Sequence, residues 1–298
     1  MGGGADVDRI ARGELASSTE ARLQELVGWG GFSSFMTPAA LAVCSDVEIE
    51  PIGQVIGLAA GAIRLGYIRT TRPGQGRRRL GVPRWLEHTG PLTTWTGLRT
   101  RALGRLTQQA TTLGADAVVG VGAERLVQAG SGNGGGLLNG QLRFAGTAVR
   151  LPAPLRTATP VLTLASAQEV WAMLQSGLQP AGIAGGFACV QTIPGSATVS
   201  ASYRRWRSAR PNVELEDLTA AVYEVRRLAM ERLVADARTL QAAGLLGIEL
   251  NVEAADSEHS RVPNVLLSLH VLASAVRRAG GAGARPATVV AMSERARA

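Results

Sequence analysis

The nine residues Leu113–Val121 read LGADAVVGV, the form of a helix's last turn passing through a glycine into a short buried strand. A second version, LQAAGLLGI at Leu240–Ile248, stands 127 residues later. Each is preceded by a long helical pattern. Leu98, Ala102, Leu106, Ala110 and Leu113 make one apolar stripe at steps of three and four. Leu218, Val222, Val225, Ala229, Leu233, Ala237 and Leu240 make the other. Glu214, Glu216 and Asp217 open the second helix, where the macrodipole favours carboxylates. Such helices bury one face, so each is expected to lie on a sheet or on a neighbour.

Beyond the paired motifs the copies stay in step. Strands are expected at Ala117–Val121 and Gly244–Val252, then polar loops, GSGNGGG (Gly130–Gly136) and DSEHSRVPN (Asp256–Asn264). The chain returns as LRFAGTAVR (Leu142–Arg150) and LHVLASAVR (Leu269–Arg277), again 127 apart. PVLTL (Pro160–Leu164) has a weaker partner in ATVVAM (Ala287–Met292).

Upstream, Thr37–Pro38 reads as an N-cap with proline at the first helical position. Ser166 and Glu169 form a capping box for a helix to about Gln175, closed by Gly177. The glycine-rich apolar runs PIGQVIGLAAGAIRL (Pro51–Leu65) and QPAGIAGGFACV (Gln179–Val190) follow as buried strands. Thr37, Pro51 and Gly53 pair with Ser166, Pro180 and Gly182 at an offset of 129. The expected fold is α+β: two tandem repeats, each an antiparallel sheet packed on one long helix. A partly helical leader covers 1–36, the repeats 37–158 and 159–293, and a tail 294–298. In the leader, Ser18 or Thr19 would cap a helix Glu20–Val27 with Leu23, Leu26 and Val27 on one face, ended by Gly28, Gly30 and Gly31. It is read as a docking segment, with a loosely held tail as the alternative.

Composition narrows the chemistry. Of 298 residues 46% are hydrophobic but only 4% aromatic, so the cores must be packed with Ala, Val and Leu. The formal charge is +8 and every basic residue counted in it is arginine, which excludes a Walker-A lysine, a Schiff-base amine and a lysine base. The two cysteines, Cys44 and Cys189, stand in apolar settings and read as small buried thiols. With no apolar signal region and no membrane-length apolar run, a cytoplasmic protein without a membrane partner is the expectation.

The chain resembles the YbjQ-like family, whose domain carries a heavy-metal-binding label. Gly114–Val121 and Gly146–Arg150 carry the resemblance in the first repeat, and SAQEVWAMLQSG (Ser166–Gly177) and RRLAMERL (Arg226–Leu233) in the second. The resemblance implies a ring-forming homo-oligomer, typically a pentamer. It brings in a heavy metal by label alone. The second copy has LLGIE in place of VVGV and lacks an equivalent of Asp116.

The residues themselves supply little for a metal. Cys44, Cys189, His88, His259 and His270 form no pair at ligand spacing. Cys44 corresponds to Met173, Cys189 to Ala60 and His270 to Arg143, so no ligand cluster survives duplication. A site from His259, Asp256 and Glu258 is the weak candidate, against a plain polar loop tip. No nucleophile–base signature is present, and GSGNGGG sits where a hairpin loop belongs, so an enzyme is not expected. The recurring polar feature is arginine. Arg77, Arg78, Arg79 and Arg84 match the region of Arg204, Arg205, Arg207 and Arg210, the latter interleaved with Tyr203 and Trp206. That mix suits an anionic or nucleic-acid partner, but a structural role, pairing with Glu214 and Glu216, is the preferred reading. Gly114, Gly120, Gly247 and Gly146 read as the packing joint between helix and sheet. The expected function is a non-enzymatic oligomeric scaffold or binding protein; an anion-binding module and heavy-metal sequestration are the alternatives.

Overall fold

The computed structural model describes residues 3–64, 85–129, 137–192, 216–256 and 265–279. Among them are six α-helices and two four-stranded sheets, a mixed α+β chain. The leader holds α1 (Gly3–Ala11) and α2 (Ser17–Trp29). Then come α3 (Pro38–Asp46), β1 (Glu50–Arg64), β2 (Trp85–Glu87), α4 (Thr89–Thr112), β3 (Ala117–Ala129), β4 (Leu137–Arg150) and β5 (Val161–Leu162). The second half holds α5 (Ala167–Gln175), β6 (Leu178–Thr192), α6 (Glu216–Thr239), β7 (Gly244–Asp256) and β8 (Val265–Arg278). None of the described helices is long and apolar enough to cross a membrane.

Sheet A has the order β1-β4-β3-β5 and sheet B the order β2-β6-β8-β7. The two halves match in detail. Thr37 Oγ1 accepts from Ala40 N, and Ser166 and Glu169 close their capping box. β1 and β6 each carry a register shift at the same place, Pro51/Gly53 and Pro180/Gly182. β3 and β7 are bulged at Gly120 and Gly247, whose φ of 60° and 59° favours glycine. The polar loops join β3 to β4 and β7 to β8 as hairpins.

The long helices lie unusually close to their sheets. A Cβ on Gly57 would run into the carbonyl of Ala102, and one on Gly186 into that of Ala229. Leu98, Ala102, Leu106 and Ala110 are buried over β1 and β4. Val225, Ala229, Leu233 and Ala237 are buried over β6 and β8.

Several expectations need correction. The leader helix starts at Ser17, with Ala16 in the cap position and no side-chain cap; Gly30 in αL conformation ends it, and Gly28 lies inside. Leu23 is buried but Val27 is exposed. In the first turns of α6 the buried residues are Asp217 and Ala221, one position before Leu218 and Val222. The buried stripe of this helix is therefore rotated by about 100° there. Both hairpins extend well past the strand limits read from the sequence. The sheets are not wholly antiparallel: β5, from PVLTL, runs parallel to β3 inside sheet A. Its partner ATVVAM lies outside the described residues. β2 leaves the first half altogether and pairs with β6 in sheet B.

Replacing Gly57 or Gly186 by alanine sets a methyl against helix backbone that cannot swing aside. We expect a loss of about 1–3 kcal/mol in urea unfolding. Gly104→Ala, whose Cβ would meet nothing within 4 Å, should be neutral or stabilising. Equal behaviour of the three variants would contradict the close approach.

Candidate functional site

The two halves meet through α4. One of its faces lies on sheet A and the next lies on sheet B, on the side away from α6. Gly185 and Gly186 mark the two sides of β6: a Cβ on the first would meet Arg99 of α4, a Cβ on the second Ala229 of α6. Trp95, Phe187 and His270 form an aromatic cluster between the sheets, with the Trp95 and His270 rings edge-on at 4.9 Å and the Phe187 and His270 centroids 4.3 Å apart. Such pairs add roughly 0.5–1.5 kcal/mol beyond the area they bury. Arg125 of β3 lies over the Trp95 ring at 5.6 Å and pairs with Glu253 of β7. Its side chain is buried, and Nε and Nη1 have no hydrogen-bond partner. Burial lowers its pKa while Glu253 opposes that shift. The Trp95 face and the carboxylate offset the desolvation of this cation.

Arg99 completes the joint, its Nη2 lying 2.9 Å from Asp236 Oδ2. The same carboxylate oxygen accepts from Gly185 N at 2.8 Å. This caps the edge of β6, and β1 is capped in the same way. Gln109, the counterpart of Asp236, donates Nε2 to Ile56 O and accepts at Oε1 from Ile56 N. Arg105 donates to Leu58 O, and its counterpart Arg232 to Phe187 O. Open strand edges invite pairing with other chains, and these side chains cover them.

A short segment stitches the halves. Thr163 Oγ1 donates to Ser274 Oγ at 3.0 Å, and Leu164 N donates to the same oxygen at 3.1 Å. On its other side the segment accepts from the β3 bulge, through Gly120 N to Ala165 O and Val121 N to Thr163 O. Ser34 and Phe35 repeat the first contacts on Thr147 of sheet A.

The surfaces left over by this joint are its counterparts. At the offsets of 127 and 129 that relate the halves, Phe187 corresponds to Leu58, Glu253 to Leu126, Trp95 to Val222 and Arg125 to Val252. The first members are the joint. The second are among the exposed large apolar residues of the chain: Leu58 at 47%, Leu126 at 48%, Val222 at 41% and Val252 at 52%. Leu58 and Leu126 lie on the outer face of sheet A; Val222 lies on the outer side of α6 and Val252 on β7.

The sequence-read candidates fall elsewhere. Arg77, Arg78, Arg79, Arg84, Arg204, Arg205, Arg207, Arg210, Tyr203, Trp206, Glu214, Glu258 and His259 lie outside the described residues; Asp256 ends β7. The attachment points of these segments do converge. Trp85, where the first arginine linker ends, pairs with Thr192, the last described residue before the segment that carries the second. Thr192 Oγ1 exchanges hydrogen bonds with Val265, and Val265 pairs with Asp256. No family model matches this chain, and no curated protein matches it. Among the described residues no three His, Cys, Asp or Glu side chains gather where a metal could be held.

Of the glycines read as a joint, Gly114 has φ 67° after α4, and Gly146 lies where a Cβ would meet Val118 at 2.8 Å. Asp116 is structural: it is buried, and its Oδ2 accepts from Leu151 N at 2.9 Å. His88 is buried against Gln191, with 3.0 Å between Nε2 and Oε1. Reading the sequence missed Trp95, Arg99, Arg125, Phe187 and Glu253. For Trp95, Arg125, Phe187 and Glu253 the signal lay in mismatches between the repeats, an aromatic or a charge in one copy standing where the other has a plain aliphatic; Arg99 has an arginine counterpart, Arg226.

Cys44 and Cys189 are both buried. Burial raises both thiols, and Cys189, also near Glu87, is pushed up to about 12. The folded state therefore holds the Cys189 proton after the unfolded chain, with an ordinary thiol near 8.5, has lost it. Above that value the native state binds more protons, so stability falls as pH rises towards 12. We expect no thiol labelling of the native chain at pH 8 and a shallower alkaline loss of stability in Cys189→Ala than in the parent. Fast native labelling would contradict the burial.

Proposed function

We propose that this protein is a non-enzymatic, self-assembling scaffold whose copies join head to tail by repeating the joint already present inside each chain. The observation that carries the reading is the equivalence just described. On the outer side of α6, Val222, Tyr223 and Arg226 are exposed, whereas α4 uses the equivalent side to pack on sheet B. The outer face of sheet A is likewise open at Leu58 and Leu126, whereas sheet B receives α4 on the equivalent face. Placed in the same relation, Val222 of one copy faces Leu58 of the next, and Val252 faces Leu126. Two apolar side chains would then meet where Arg125 and Glu253 pair within the chain.

Such an interface is heterologous, so copies add in one direction and close into a ring if the rotation permits. The resemblance to YbjQ-like proteins supports the ring and the pentamer as its expected form. It adds a metal by label only, for which the described residues offer no ligand cluster. A second reading, contact with an anionic polymer, is favoured by one observation: one end of each arginine-bearing segment is anchored at the paired residues Trp85 and Thr192. It requires retention on single-stranded nucleic acid that falls steeply with salt.

Sedimentation velocity across a concentration series tests the scaffold reading. The full chain should show concentration-dependent association, and Leu126→Arg should weaken it by tenfold or more, about 1.4 kcal/mol. A monomer in both, at all concentrations, would overturn it.

A further inference from the structure

The leader lies along the edge of β1 and beside α4, as α4 lies along the edge of β6 and beside α6. Three contacts show this. Arg22 of α2 donates Nη2 to Gln109 Oε1 at 3.0 Å and Nη1 to Gln54 O at 3.2 Å. Arg99 of α4 pairs with Asp236, the counterpart of Gln109. Four residues on, Leu26 Cδ1 lies 3.6 Å from the Cβ position of Gly53. Four residues after Arg99, Leu103 lines one cavity with Gly182, the counterpart of Gly53, and Leu240. Finally, Arg105 donates Nη2 to Ile10 O at the end of α1, as its counterpart Arg232 donates to Glu87 beside α4.

The match is incomplete in one respect. One turn before Arg99 stands Trp95, which covers Phe187. One turn before Arg22 stands Ser18, and Leu58 is left open. The leader thus reaches the positions of Gln54, Gly53 and Gln109 but leaves Leu58 exposed, whereas α4 also covers Phe187. It is held by polar contacts and by Leu15 and Leu23, buried in the core, with Leu26 packed against them; it brings no aromatic ring comparable with Trp95. The outer side of α6 offers the same spacing again, Arg226 exposed and Met230 four residues later.

We propose that α2 is a displaceable plug: it occupies the sheet A docking surface within its own chain and gives way to α6 of a second copy. This rests on the head-to-tail reading and adds a competitor to it. Arg22–Leu26 and Arg226–Met230 contend for the same acceptors, Gln109, Gln54 and the groove at Gly53. Assembly is then weaker than its contact surface alone would give, because each contact must first release a leader.

The test uses the full chain carrying Arg22→Glu and Leu26→Asp, compared with the parent by sedimentation velocity. Association tightened by tenfold or more, and abolished again by adding Arg226→Glu, supports the plug. A parent that associates while the variant associates equally or more weakly overturns the plug and leaves the head-to-tail reading standing. Absence of association in the parent and the variant alike overturns both. Hydrogen exchange on the parent removes any dependence on the variant's folding. Amides of Ser17–Trp29 should exchange faster as concentration rises; slower exchange would mean that the leader is part of the interface and not its competitor.

Discussion

The structure depends on one helix being buried on two faces. α4 lies so close to β1 that only glycine fits at position 57, and its adjacent face carries Trp95 and Arg99 into sheet B. A helix in that position cannot stay amphipathic in the ordinary way. It has to be apolar on one side and to carry a large aromatic and a paired cation on the next. α6 meets the first demand and not the second: its outer side carries Val222, Tyr223 and Arg226 at the surface. The two helices differ in whether that second side is buried.

Edge strands pose the complementary problem. β1, and β6 outside the three residues that β2 pairs, leave backbone groups unpaired along one side, and both halves cover them with the same side chains, Arg105 with Gln109 and Arg232 with Asp236. Asp236 serves twice, accepting from the strand and pairing with Arg99. Gln109 serves twice as well, but its second partner is the leader's Arg22.

Much of the fold was legible from the residues. Thr37 and Ser166 cap their helices because a side-chain oxygen there satisfies a backbone donor that no carbonyl reaches. The Pro-x-Gly pairs at 51–53 and 180–182 mark matching irregularities because each strand bends at the same point. What stayed hidden was pairing across the halves. β2 is three residues long, too short for periodicity to register, and its partner lies more than a hundred residues on. Arg125 sits in a strand whose pattern permits any residue, and only its distant partner Glu253 gives it meaning. The first turns of α6 misled for a physical reason. Leu218 and Val222 extend an apolar stripe, but that side of the helix faces out, and Asp217 and Ala221 face in.

The most direct measurement is a crosslink between copies. Leu126→Cys and Val252→Cys are prepared separately, since the native Cys44 and Cys189 are buried and do not compete. A head-to-tail joint predicts that the mixture oxidises to a chain-to-chain disulfide that neither variant forms alone. A mixture that crosslinks no more than its two components would contradict the joint.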